Sequence, residues 1–204
     1  MRTLEIIFAS FLVAALGPSP ASAATTTHLV ESGTGAHVNA SLTTPDFCIE
    51  TSLTLDPATS ITRPDGGTSS GMSISLFRDD FCNGTFEFGF TTVNLTNEFQ
   101  VSPGNHSATL NVTVPVQTFD FDGVVRTRVV VANLQLQGTA DTTSGSSTSR
   151  FVGGNTRIVS SGHSVSNGAT VTGQVSVDGL PFVPDGAVVG SIETSMSVTV
   201  DITK

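Results

Sequence analysis

Neither tryptophan nor tyrosine occurs in this chain, and only 12% of its residues are charged. The first absence bears on carbohydrate, because sugar-binding modules stack pyranose faces on exposed aromatic rings. Only phenylalanine is available here, and most of its positions fit a core. The aromatic girdles of outer-membrane barrels are missing for the same reason. Lysine is represented by Lys204 alone, and the formal net charge is −9. Nucleic acid and anionic membranes both reward clustered Lys and Arg, so neither is expected as a partner. After the first residues no apolar run approaches the roughly 20 residues of a membrane-spanning helix. No stretch sustains helical periodicity either.

Two cysteines, Cys48 and Cys82, complete the list of scarce residues. The first residues read as an export leader: Arg2 gives the positive charge, Ile6 to Leu16 the apolar stretch, and Ala21-Ser22-Ala23 a small-residue cleavage site. Residues 1–23 are therefore expected to be a signal peptide, and 24–204 a single all-β domain, secreted or periplasmic. Removing Arg2 and Glu5 together leaves the mature chain as acidic as before. In an exported chain an even cysteine pair predicts one disulfide, Cys48 to Cys82. No C-x-x-C pair argues for a redox role.

What the chain has in quantity is Ser and Thr, about a quarter of all residues, set among short alternating runs. Arg78 to Phe90 reads R-D-D-F-C-N-G-T-F-E-F-G-F, in which Phe86, Phe88 and Phe90 recur at period two from Cys82. That spacing puts side chains on one face of a strand and predicts the central core strand. Met72, Ile74 and Leu76 alternate before it and form a hairpin with it. Leu53 and Leu55 share the parity of Phe47 and Ile49, with Cys48 on the opposite one, so the strand bulges at the cysteine or begins beside it.

Leu110, Val112, Val114 and Val116 alternate strictly, and Pro115 places that strand at an edge or bulge. Past it the parity passes to Phe119 and Phe121. Val129 and Val131 followed by Leu134 and Leu136 require a bulge at Ala132-Asn133. Gly33-Thr34-Gly35 suggests a turn or bulge. Asp56 to Gly71 and Asp141 to Ser149 are expected to be loops. A hairpin is expected around Asn167-Gly168 and a connection over Asp178 to Asp185. Val188, Ile192, Met196, Val198, Val200 and Ile202 predict a last strand crossing the core. Short strands punctuated by turns predict an antiparallel β-sandwich, with a closed barrel as the alternative.

Candidate chemistry is sparse. His28, His37, His106 and His163 share no metal-ligand spacing and are expected to be solvated. No G-x-S-x-G elbow accompanies the many serines. Asp79-Asp80 and the pair Asp120 and Asp122 are the carboxylates worth weighing. In Asp120-Phe121-Asp122-Gly123 both acids share a face while Phe121 turns to the core, so Asp120 and Asp122 are the calcium candidates, although the D-x-[DN]-x-[DN]-G loop is missing. Five Asn-x-Ser/Thr triplets begin at Asn39, Asn83, Asn94, Asn105 and Asn111.

Phe47-Cys48-Ile49-Glu50-Thr51, Asp80-Phe81-Cys82-Asn83-Gly84-Thr85, Ser107-Ala108-Thr109-Leu110-Asn111 and Ala169-Thr170-Val171-Thr172-Gly173 together resemble a family of uncharacterised secreted bacterial proteins. Members often carry Trp before the glycine that Gly138 matches, whereas this chain has Leu136-Gln137. The resemblance implies export and the disulfide, and no activity. The expected function is that of an exported, non-enzymatic protein without cofactor, serving surface interaction with a protein or surface ligand, or a structural role in the envelope. Its alternatives are a pilus-type subunit and a secreted hydrolase with an unrecognised site.

Overall fold

A computed structural model describes the backbone of residues 24–64 and 66–200, and their side chains apart from 140, 141, 185, 187–189 and 191–200. The expected leader, residues 1–23, lies outside the described residues. So do Ile202 and the side chains of the other five residues that predicted the last strand.

Among the described residues nine strands follow one another: β1 Thr25–Thr43, β2 Ile49–Arg63, β3 Gly67–Asp80, β4 Thr85–Asn94, β5 Phe99–Val101, β6 Ser107–Asp120, β7 Val125–Gly153, β8 Thr156–Val177 and β9 Leu180–Val200. A 3-10 turn, Pro103–Asn105, precedes β6. All pairings are antiparallel, in the order β4-β3-β2-β1-β9-β8-β7-β6-β5, and a short β4–β6 contact carries the hydrogen bonding round into a ring. The result is the expected all-β class, a sandwich-like fold. Val38, Leu53, Leu55, Ile74 and Leu76 meet Leu110, Val116, Val130, Leu134 and Val175 in one buried core.

The strict alternations were sound guides to this core. Met72, Ile74 and Leu76 on β3 and Leu110, Val112, Val114 and Val116 on β6 all point inward. Pro115 sits where its missing donor costs nothing. It pairs with Val129 on one side, while β5 reaches only Leu110 and β4 only Thr118 on the other. Cys48 lies just before β2 begins, as one of the two readings required, and is bonded to Cys82 in the β3–β4 turn.

Composition misled elsewhere. The expected loop Asp56 to Gly71 is strand on both sides of turn residues Pro64 and Gly66, because hydroxyls bond across the ladder, Thr59 to Ser70 and Ser60 to Ser69. The expected loop Asp141 to Ser149 is part of β7. Gly33-Thr34-Gly35 runs straight through β1, where each glycine lets a β2 carbonyl come close. Asn167-Gly168 lies within β8, and the hairpin turn is at Asp178-Gly179, both with positive φ. No bulge forms at Ala132-Asn133: β7 pairs continuously with β6 from Val125 to Gln137, Val130 and Ala132 point inward, and Val129 faces solvent. The irregularity comes after Gly138.

Beyond the core, β7, β8, β9, β1 and β2 continue as one extended sheet, with Thr142–Gly153 paired to Thr156–Asn167 and Thr25 opposite Val200.

Candidate functional site

The largest departure from the sequence reading concerns the stretch around Phe86. β4 is no central strand: it pairs with β3 along its length and with β6 only at Glu87, Phe88 and Gly89. Its phenylalanines do not enter the core. Phe88 is 44% exposed and Phe90 66%, while Glu87, just before Phe88, is only 3% exposed. Two features fix this parity. At Gly89 the β6 backbone comes so near that an added Cβ would lie 2.5 Å from the carbonyl oxygen of Gln117, so this position must face inward without a side chain. Glu87, two residues away, then shares the inward face.

A buried carboxylate needs partners, and three strands supply them. Arg128 on β7 donates through Nη2 to both Glu87 oxygens, at 2.7 and 2.9 Å, and through Nε at 3.1 Å. Thr118 Oγ1 on β6 donates at 3.0 Å and Arg78 Nη1 on β3 at 3.3 Å. Arg126 lies 3.6 Å from Glu87 and 2.9 Å from Asp120, and Arg128 also reaches Asp178 in the β8–β9 turn at 3.0 Å. Burial raises the Glu87 pKa, but the hydrogen bonds from Arg128 and Thr118 and the charges of Arg128 and Arg78 outweigh it and hold the carboxyl below its usual range. Glu87 and Asp178 in turn raise the Arg128 pKa. One end of the interior is thus an ionic plug.

On the outer side of the same strands lies an aromatic surface. Phe77 on β3 is opposite Phe88 on β4, Phe88 opposite Phe119 on β6, and Phe119 opposite Val125 on β7. All four are exposed. Beside this row Phe86 contacts Phe77, Phe88 and Phe121, the last at 5.2 Å in a stacked arrangement. The premise that phenylalanine is spoken for by a core therefore does not hold. Its rim is acidic: Glu50 on β2 stands opposite Asp79 on β3, and Asp79 opposite Phe86. Like charges placed directly across a ladder repel. Arg78, Arg126 and Arg128 lie inward, on the ionic plug, and leave that rim unneutralised.

The carboxylates weighed from the sequence are divided. Asp120 turns inward, its Oδ1 accepting the N–H groups of Asp122 and Val124 and its Oδ2 bonded to Arg126, which together lower its pKa. Asp122 is exposed in the turn, and Phe121, expected in the core, is 83% exposed. Nothing brings Asp120 and Asp122 together around a shared position. Asp80 caps its own turn, accepting from the backbone and side chain of Asn83. Among the described residues no three His, Cys, Asp or Glu side chains converge on a possible metal position.

Histidines 28, 106 and 163 are exposed. His37 is not: Nδ1 is bonded to Asp56 and Nε2 to the Asn39 amide, which reaches on to Thr54. The Asp56 hydrogen bond raises the His37 pKa against an opposing effect of burial. With both ring nitrogens engaged, the imidazole presents no free nitrogen to activate a nucleophile. Of the five triplet asparagines, Asn94 and Asn111 are freely exposed, whereas Asn39 is tied to His37 and Asn105 is buried.

No protein-family model matches the chain, and no curated protein does. A crystal structure from Nitrosomonas europaea, whose AttH designation is provisional, is similar at 13% identity and a TM-score of 0.31. The similarity covers 86% of this chain and 52% of that one, so the chain spans about half the length of that protein. Among the described residues no helix is long and apolar enough to cross a membrane.

Proposed function

We propose that this is an exported, non-enzymatic protein that docks on a partner surface through the phenylalanine face of β3, β4 and β6. The observation that carries the reading is the in-register row Phe77, Phe88, Phe119 and Val125, exposed across four strands. Contiguous apolar surface of this kind marks interaction sites, and rigid aromatic side chains make strong anchors. The partner is a protein surface that offers apolar side chains ringed by basic ones. Glu50 and Asp79 would be relieved of their mutual repulsion by such a rim. Export is supported by the Cys48–Cys82 disulfide, a bond that persists in oxidising compartments.

The test is the fraction of protein retained on the cells that export it, for wild type and for the double substitution Phe88→Ser with Phe119→Ser. Both side chains lie on the outer face, so the fold should persist, with the melting temperature lowered only modestly by the loss of their cross-strand ring contacts. Retention should weaken roughly 30-fold, as losing about 2 kcal/mol implies. It should also fall in high salt, since the rim is electrostatic. Equal retention of wild type and variant would overturn the reading.

A further inference from the structure

A second surface lies at the opposite end of the molecule. From Thr142 to Gly153, β7 is paired with β8 on one side without a break in register, from Thr142 opposite Asn167 to Gly153 opposite Thr156. β6 has already ended, its pairing with β7 stopping at Gln137. Among the described residues no strand covers the other side, and every residue of Thr142–Gly153 is exposed apart from its bonds to β8. Natural sheets protect such an edge with lysine, proline, a bulge or a short strand. This segment, T-T-S-G-S-S-T-S-R-F-V-G, carries a single charge, Arg150, and neither proline nor lysine.

We infer that this edge pairs with the same edge of a second copy, forming a two-fold antiparallel junction between extended sheets. Three observations select this occupant. The segment contains no acidic residue, so two chains of net charge −9 can approach along it. An antiparallel strand paired with itself is self-complementary and closes at two copies. Among the described residues the other free edge of the extended sheet, at the start of β3, runs only from Gly67 to about Ser70 before β4 pairs at Gly71. A head-to-tail filament would need two edges of matched length, and only a second Thr142–Gly153 matches the first.

The register follows from the turn. Gly154, with positive φ, and Asn155 form a two-residue loop, which is closed by the hydrogen-bonded pair Gly153 and Thr156. Alternation then directs the N–H and C=O groups of Thr142, Ser144, Ser146, Thr148, Arg150 and Val152 away from β8. Pairing these with their equivalents over the full edge puts the two-fold axis at Ser147 and sets Arg150 opposite Ser144. Small hydroxyl and glycine side chains offer no steric obstacle, and main-chain bonds supply the attraction.

Sedimentation velocity on the chain over a wide concentration range tests this. The wild type should show a monomer–dimer equilibrium. Ser146→Pro removes an outward donor and leaves the β7–β8 ladder intact, and Ser147→Lys sets two ammonium groups against each other at the axis. Each should give monomer throughout with an unchanged melting temperature. A wild type that stays monomeric, species larger than the dimer, or a dimer that survives both substitutions would overturn the inference. A dimer lost with Phe88→Ser but kept in Ser146→Pro would move the contact to the aromatic face and equally overturn it. So would a monomer whose outward β7 amides resist hydrogen exchange, because a segment of the same chain would then occupy the edge.

Discussion

Glu87 sits where a strand that borders the aromatic face would ordinarily place an apolar side chain. Its carboxylate is held by Arg128, Thr118 and Arg78, with Arg126 close by, and its folded-state pKa is lowered. A lowered carboxyl pKa stabilises the fold above the unfolded value of 4.5, and this stability is lost as the pH falls through the folded value. Glu87→Gln removes the charge and leaves three guanidinium groups short of a partner. We expect a loss of about 2–3 kcal/mol at neutral pH, since the arginines keep partial access to water. Urea midpoints should also show a smaller acid-side decline in the variant than in wild type below pH 4.5. Equal declines would place the acid sensitivity on Asp80, Asp120 and the other lowered carboxyls.

At the scale of elements, β4 shows how far alternation can be read. F-E-F-G-F has period two whichever face is inward, and side-chain size favoured the phenylalanines. The residues that decide are Glu87 and Gly89, and their reasons lie on other strands: Arg78, Arg126 and Arg128 for the first, the Gln117 carbonyl for the second. Apart from Arg78, across the hairpin, these groups lie some 28 residues or more along the chain, so the aromatic face was not legible. β6 was legible, because Leu110 to Val116 alternate with polar residues and leave no choice of face. The Ser/Thr stretches of β2, β3 and β7 were misread because their composition is that of loops, while their partners across the ladder are what make them strands. Gly89→Ala is a direct check on β4. Alanine normally favours a strand over glycine by several tenths of a kcal/mol, but here its Cβ would strike the Gln117 backbone. Destabilisation of about 2–3 kcal/mol is expected, read as a lower urea midpoint. A gain in stability would mean that β4 and β6 are not held together at this point.

For the molecule as a whole, the disulfide ties the start of β2 to the β3–β4 turn, next to the ionic plug and the aromatic face. Its sequence separation of 34 residues restricts the unfolded chain, and replacing both cysteines with alanine should lower stability by roughly 3–4 kcal/mol under oxidising conditions. An unchanged melting temperature would show that the constraint contributes nothing to the folded balance. β9 lies between β1 and β8 and pairs with both, Thr25 with Val200 on one side and Thr156 with Val200 on the other. The first described strand and the last are therefore neighbours. A chain made from its N-terminus holds β1 and β8 apart until β9 has been added, so the sheet stays unsealed while the eight preceding strands are made. Folding of this topology is slow by contact order, and two unfilled strand edges stand open in the meantime. A chaperone that recognises unpaired strands would find its substrate in the nascent chain, and release it when β9 arrives.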